Sequence, residues 1–228
     1  GEHHQLSAIG TLLRSSSDET RIDEGFVESA ELISRFIKLE WEENELWSRQ
    51  LTGSHAFPAL SNLKLDWVYT RADASRDAPR SVELRYDRVD DVTDRDPFRF
   101  SSRSDSNGTS YGLLADASES GDLNVKLPLS FNDQHALTVD LGGSRLRRDR
   151  DSSIRRFEFR PSPLGFISND PDVVFNPPDT VFDPANIGPR GWILQEVTRN
   201  TDAYVATQSL DAAYLTLDYT WTDRLRVN

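Results

Sequence analysis

Cysteine and methionine are both missing from this 228-residue chain. Without cysteine there can be no disulfide, no thiolate metal ligand and no thiol nucleophile, an absence that suits an oxidising compartment. No run of about 18 apolar residues occurs, which excludes a membrane-spanning helix but not membrane-spanning strands. Basic residues are in deficit, 26 against 38 acidic, for a net charge of -12. A nucleic-acid partner is therefore not expected, since nothing supplies a basic face. The one basic run, Arg145-Leu146-Arg147-Arg148-Asp149-Arg150, has an acid inside it. There is no P-loop, no G-x-S-x-G and no zinc-ligand spacing, so the residues make no case for an enzyme, a cofactor or a metal centre. The chain neither starts with methionine nor opens on a signal-peptide pattern, because Gly1-Glu2-His3-His4-Gln5 is polar. The expectation is one region, 1–228, cut from a longer chain.

What the chain does have is alternation. Leu123, Val125, Leu127, Leu129 and Phe131 alternate with Asn124, Lys126, Pro128 and Ser130; after the polar turn Asn132-Asp133-Gln134-His135, Leu137, Val139 and Leu141 alternate with Thr138, Asp140 and Gly142. A period of two means a hairpin with one face out of water. Four further ladders follow the same rule. They are Gln5 to Leu13 (Leu6 and Ala8 on one face), about Leu39 to Phe57, Leu63 to Thr70, and Ala203 to Trp221, with another strand starting at Leu225 and Val227. In the second ladder Leu39, Trp41, Trp47, Leu51 and Phe57 share a face that Glu43 and Glu45 interrupt, so its outer part stands clear of any apolar layer. Mean hydropathy is -0.59, yet a low value is compatible with a membrane barrel, in which only every second strand residue is apolar.

Connection lengths alternate as well. Pro58 to Asn62, Asn132 to His135 and Thr222 to Arg224 are short; about Arg14 to Lys38, Arg71 to Gly121 and Ser144 to Thr201 are long and polar. A transmembrane barrel has short periplasmic turns and long outer loops, whereas a sandwich mixes lengths at both ends. Aromatics on or near the apolar faces (Phe57, Trp67, Tyr69, Phe131, Tyr219 and Trp221) fit interfacial girdles; their other reading is the core of a soluble sandwich. Ser81 to Tyr86 and Arg155 to Arg160 are candidates to prolong strands beyond the membrane.

Candidate chemistry is sparse. Asp170, Asp172, Asp179 and Asp183 cluster in a proline-rich stretch, but without a calcium-loop spacing they read as solvated acids. His3 and His4 have the ring nitrogens of metal ligands and read as a solvated terminus. His55 and His135 flank short turns and lack an accompanying nucleophile, which makes them interface residues. Asn107-Gly108-Thr109 reads as a tight turn, and Gly142-Gly143 as a bend or close approach within a strand.

Several segments resemble TonB-dependent outer-membrane receptors. Arg21-Ile22-Asp23-Glu24-Gly25-Phe26 is similar to their R-x-D-E-G-F segment, and Gln50 to Phe57 to their Q-L-x-G-x-H-x-F strand end. Leu65-Asp66-Trp67, Arg76-Asp77-Ala78-Pro79, Phe182 to Gly188, Asp202 to Ala206 and Leu210 to Tyr214 follow in the family's order; Val27 and Arg80 depart from it. The resemblance implies an all-β, antiparallel up-and-down sheet, part of a large transmembrane β-barrel with long extracellular loops. Such barrels have about 22 strands around a plugged lumen, of which this chain would supply about a third. It further implies energised uptake of a scarce solute (a ferric siderophore, vitamin B12 or an oligosaccharide) across the outer membrane of a Gram-negative cell. The partners would be the lipid bilayer, the small solute, and the TonB system through a plug domain outside these residues. Lys64, Asp66, Thr138 and Asp140 would face the lumen. No individual ligand-binding residue is assigned. The alternative is a soluble extracellular β-sandwich binding or adhesion module, which needs a second apolar layer within the chain.

Overall fold

A computed structural model describes residues 3–103, 106–132, 135–221 and 225–227. Its strands are β1 (His4–Val27), β2 (Leu32–Phe57), β3 (Leu63–Arg88), β4 (Phe98–Phe100), β5 (Asn107–Asn132), β6 (His135–Pro161), β7 (Trp192–Glu196), β8 (Ala203–Trp221) and β9 (Leu225–Val227). They form one antiparallel sheet in the order β1-β2-β3-β5-β6-β8-β9, with β4 paired to β3 and β7 to β6. Among the described residues the sheet is open, since no ladder joins β1 to β8 or β9, and no second sheet lies against it.

Each ladder expected from alternation is present, but most are far longer than expected. β1, β2, β3, β5 and β6 run for 24 to 27 residues, roughly 80–90 Å at about 3.3 Å per residue. The first two segments expected as long loops are therefore largely strand, whereas the third is strand only up to Pro161 and over Trp192–Glu196. Between β1 and β2 only residues 28–31 remain, with Glu31 at φ 54° closing the turn. At the opposite end a short 3-10 turn, Pro58–Leu60, and two left-handed residues, Ser61 and Asn62, join β2 to β3. Of the other two expected short turns, 133–134 and 222–224 lie outside the described residues.

Register assigns the faces, because partners across a ladder share a side and successive residues alternate. Leu51, Tyr69, Gly121, Arg145 and Asp211 form one row across β2, β3, β5, β6 and β8. Closer to the short turns on that face lie Trp67, Leu65, Leu123, Val125, Leu127, Val139, Leu141, Leu215 and Leu217. Among the described residues nothing covers this band: Leu123 is 48% exposed and Leu215 is 65% exposed.

Farther along, β3 slips by one residue against both neighbours, between Ala78 and Ser81 facing β5 and opposite Trp41 to Glu43 facing β2. Pro79 lies in this bulge, where its missing N–H costs no ladder bond. The slip reverses the parity of β3, so Val82, Leu84 and Tyr86 emerge on the same face as Leu65 and Trp67. There they meet a cap built from residues 89–103, 106 and 162–196. Its centre is Val82, Leu84, Tyr86, Phe98, Phe100, Val174, Val181 and Trp192, flanked by Ile33, Ile37, Phe159 and Phe182. Phe100 meets Tyr86, Phe182 and Trp192 edge-on at 5.2–5.5 Å between centroids. Burial pushes the Tyr86 hydroxyl pKa up, and that hydroxyl donates to the Asn176 carbonyl at 3.2 Å.

Two four-residue helices, α1 (Pro171–Val174) and α2 (Pro178–Val181), shape the cap. Each begins with proline, whose fixed φ suits the first helical position. The Asp170 side chain accepts from the Asp172 N–H at 3.0 Å, and Asp183 accepts from the Ala185 N–H at 2.8 Å. These acids thus act as local caps.

At the cap's edge, burial alone would raise the Asp87 carboxyl, but hydrogen bonds from Ser101, Ser34 and Arg85 outweigh it and hold the pKa below the usual range. Ser34 Oγ and Arg85 Nε donate to the same carboxylate oxygen at 2.8 and 2.7 Å. A depressed folded pKa stabilises the protein above the unfolded value of about 3.9, and that stability is lost as pH falls through the lower folded value. Asp87→Asn is expected to cost about 1–3 kcal/mol at neutral pH and to flatten the acid limb of unfolding free energy against pH. An unchanged acid limb in the variant would show that Asp87 does not carry it.

Candidate functional site

The opposite face of the sheet is predominantly polar. Near the short turns, Lys64, Lys126, Asp140 and Thr216 form a register row across β3, β5, β6 and β8, with Asp66 and Thr138 on the same face. All four residues expected to point away from the apolar band do share this side. Asn124 Nδ2 donates to Asp140 Oδ1 at 2.7 Å and also bonds the Tyr214 hydroxyl. The Tyr214 ring lies over Gly142, where a Cβ would come within 2.4 Å of Cε1. Close approach is therefore what Gly142 provides, as its position in a strand suggested.

Midway along, Asp116 is clamped between two arginines. Arg148 Nε and Nη2 reach its two oxygens at 2.7 and 2.6 Å, and Arg150 Nε donates at 2.6 Å. The carboxylate side chain is only 7% exposed, whereas both guanidiniums stay partly in water. The expected basic run is thus split by strand parity. Arg148 and Arg150 lie on the polar face, and Arg145 and Arg147 on the other.

Beyond this clamp, where the cap lies behind the sheet, the polar face holds an open groove of about 640 Å³. Glu83 from β3, Ser110 from β5, and Arg156, Glu158 and Arg160 from β6 line it, and the segment after β7 closes one side with Val197, Arg199 and Asp202. That segment is pinned by backbone and side-chain bonds: the Val197 N–H donates to the Arg156 carbonyl at 2.8 Å and the Arg156 N–H to Thr198 Oγ1 at 2.9 Å. The Arg199 N–H donates to Asp202, and Arg156 lies 3.3 Å away; together they hold the Asp202 carboxyl below the usual range. Glu196 is likewise lowered by Arg155 and Thr198. The groove is therefore lined by ionised groups of both signs, suited to a polar solute that offers donors and acceptors together. Sequence spacing gave no sign of it, because its walls come from four separated segments.

Other residues singled out from the sequence have structural placements. Asn107, expected in a tight turn, begins β5 opposite Leu84. Its side-chain amide donates to the Phe159 carbonyl at 2.9 Å and accepts from the Phe159 N–H at 2.6 Å, extending the β5–β6 ladder as a backbone peptide would. Gly108 and Thr109 continue that strand. His4 and His55 are register partners with Nδ1 atoms 3.1 Å apart, and Trp67 Nε1 donates to His55 Nε2 at 3.2 Å. His4 is thus bonded into the sheet, and the Ala56 N–H donates to the His3 carbonyl oxygen at 2.7 Å. His135 stacks on Tyr219 and Trp221. Among the described residues no group of three or more His, Cys, Asp or Glu side chains is placed to hold a metal. No family model matches this chain, and no curated protein matches it.

Proposed function

We propose that this chain is part of the wall of a large outer-membrane β-barrel of the TonB-dependent receptor type, serving energised uptake of a scarce polar solute such as a ferric siderophore, vitamin B12 or an oligosaccharide. The observation that carries this reading is the unequal treatment of two apolar patches on one face. Over Val82, Leu84 and Tyr86 the chain folds a cap of its own. Over Leu51, Leu65, Leu123, Leu141 and Leu215, across five adjacent strands, the described residues fold nothing. Soluble domains rarely leave so large a patch bare, and lipid is the solvent that would cover it. In this reading the short turns lie on the periplasmic side and the cap outside. The polar face then borders the lumen, where the solute and a plug domain would meet it, with the groove as part of the outer vestibule. A soluble sandwich would need a second apolar layer, which the described residues do not supply.

The test is insertion. The chain is purified in detergent, reconstituted in phosphatidylcholine vesicles and probed by proteolysis and amide exchange. Residues 51–57, 63–69, 123–131, 137–141 and 213–219 are expected to be protected by lipid, with cleavage confined to the cap and the short turns. A monomer that stays in solution without detergent and unfolds in one cooperative step would overturn the proposal in favour of the soluble binding module.

A further inference from the structure

The face that carries the bare apolar band changes character abruptly at its border away from the short turns. In the bordering row Arg145 of β6 stands beside Asp211. The next row holds Arg49 of β2, Arg71 of β3, Glu119 of β5 and Arg147 of β6. Acids dominate only one row farther on, at Asp73 and Asp149. Charge is thus layered along the strands: four arginines against two acids next to the apolar band, then an acidic row. Side chains of Arg71, Arg145 and Arg147 are more than half exposed. Arg71 to Asp73 and Arg145 to Asp211 are both loose contacts at 3.6 Å, whereas Arg147 Nε donates to Asp149 at 3.0 Å. Glu119, the acid within the arginine row, already accepts from the Tyr69 hydroxyl. Arg49, an exposed residue, packs its guanidinium over the Trp47 ring, 4.9 Å from the centroid. On this face the opposite border, near the short turns, carries aromatic rings and histidines (His4, His55, Phe57, Tyr219 and Trp221) in place of arginine.

From this layering we infer that Arg49, Arg71, Arg145 and Arg147 form a docking row for the anionic phosphate headgroups of membrane lipid at the outer border of the band. The inference rests on the membrane reading above. Guanidinium forks match phosphate oxygens in pairs. A basic residue held at a charged lipid surface adds about a fivefold preference by attraction alone, screened within a Debye length. A free phosphate ion would gain the same forks without the adjoining apolar contact, so the lipid is the source the geometry favours.

The experiment uses the full chain in vesicles of phosphatidylcholine, with and without phosphatidic acid, and measures lipid retained after detergent exchange. Wild type is expected to retain phosphatidic acid at least tenfold more strongly than the variant carrying Arg49→Gln, Arg71→Gln, Arg145→Gln and Arg147→Gln. Arg156→Gln, in the groove of the other face, is expected to leave retention unchanged. Equal retention by wild type and the fourfold variant, both with residues 123–131 and 137–141 protected, would overturn the inference and leave the membrane reading standing. Competition by inorganic phosphate alone, equal to that by phosphatidic acid, would also overturn it. Failure of wild type to insert would overturn both. Should the fourfold variant misfold, the pair Arg71→Gln with Arg147→Gln carries the same comparison, with a smaller expected loss.

Discussion

Trp192→Ala is expected to detach the cap while leaving the sheet paired. The indole is fully buried at the meeting point of β7, Phe100 and Phe182, and truncating a buried tryptophan costs about 3–5 kcal/mol. Within the cap, α1 and α2 are single turns, too short to persist unpacked. Exchange protection should therefore collapse at Phe98 to Phe100 and over residues 171–181, and proteases should gain access to residues 162–191. Protection at Leu123 to Leu129 should not change. Trp192→Phe makes the complementary case. Among the described residues the indole N–H has no hydrogen-bond partner, so phenylalanine keeps most of the packing and removes an unpaired donor, at a cost well below that of alanine. Equal losses for the two variants, or a loss spread evenly over the sheet, would contradict this account of the cap.

The second large effect runs against strand propensity. Valine favours strands and glycine weakens them, by up to about 1 kcal/mol, so Gly53→Val in β2 would ordinarily be stabilising. Here Trp67, its register partner, lies flat over Gly53, and a Cβ would fall 2.2 Å from Trp67 Nε1. The ring would have to leave, breaking its bond to His55 Nε2. The expected outcome is a loss of about 1–3 kcal/mol from overpacking, with a changed Trp67 fluorescence environment. Gly121→Val, on the same face with no atom within 4 Å of its Cβ, is the control and should be neutral or stabilising. If both valines behaved alike in denaturant titrations, the close packing of Trp67 on Gly53 would be the wrong explanation.

Strands were legible where one face is apolar and the other wet. Leu63 to Tyr69 and Leu123 to Leu141 announced themselves because apolar and polar residues alternate there with a period of two. The distal halves of the same strands did not. Along Arg14 to Asp23 and Ser144 to Ser153 both faces meet water, so polar residues fill odd and even positions alike while the backbone ladder continues. Backbone pairing needs no side-chain pattern, and composition alone made these stretches look like loops. The cap was hidden for another reason. Val82, Phe100, Val174 and Trp192 are far apart in sequence, and helices of four residues show no helical period. The bulge at Pro79 could be suspected from proline in a strand, but its effect, the parity switch that turns Val82 toward the cap, follows only from the register on both sides. The groove was out of reach for the same reason, as its charges come from β3, β5, β6 and the segment after β7.

The serial topology also bears on how the sheet assembles. Each long strand pairs with the long strand that follows it; the β1–β2 ladder closes around four residues at small entropic cost, whereas the β3–β5 and β6–β8 ladders close around the longer segments that build the cap. Growth can proceed in chain order with a single advancing edge, each new strand templated by the one just laid down. The chain's first and last strands never have to find each other for the intervening ladders to form. Such a wall lengthens strand by strand, and a stall at any hairpin leaves the preceding ones paired.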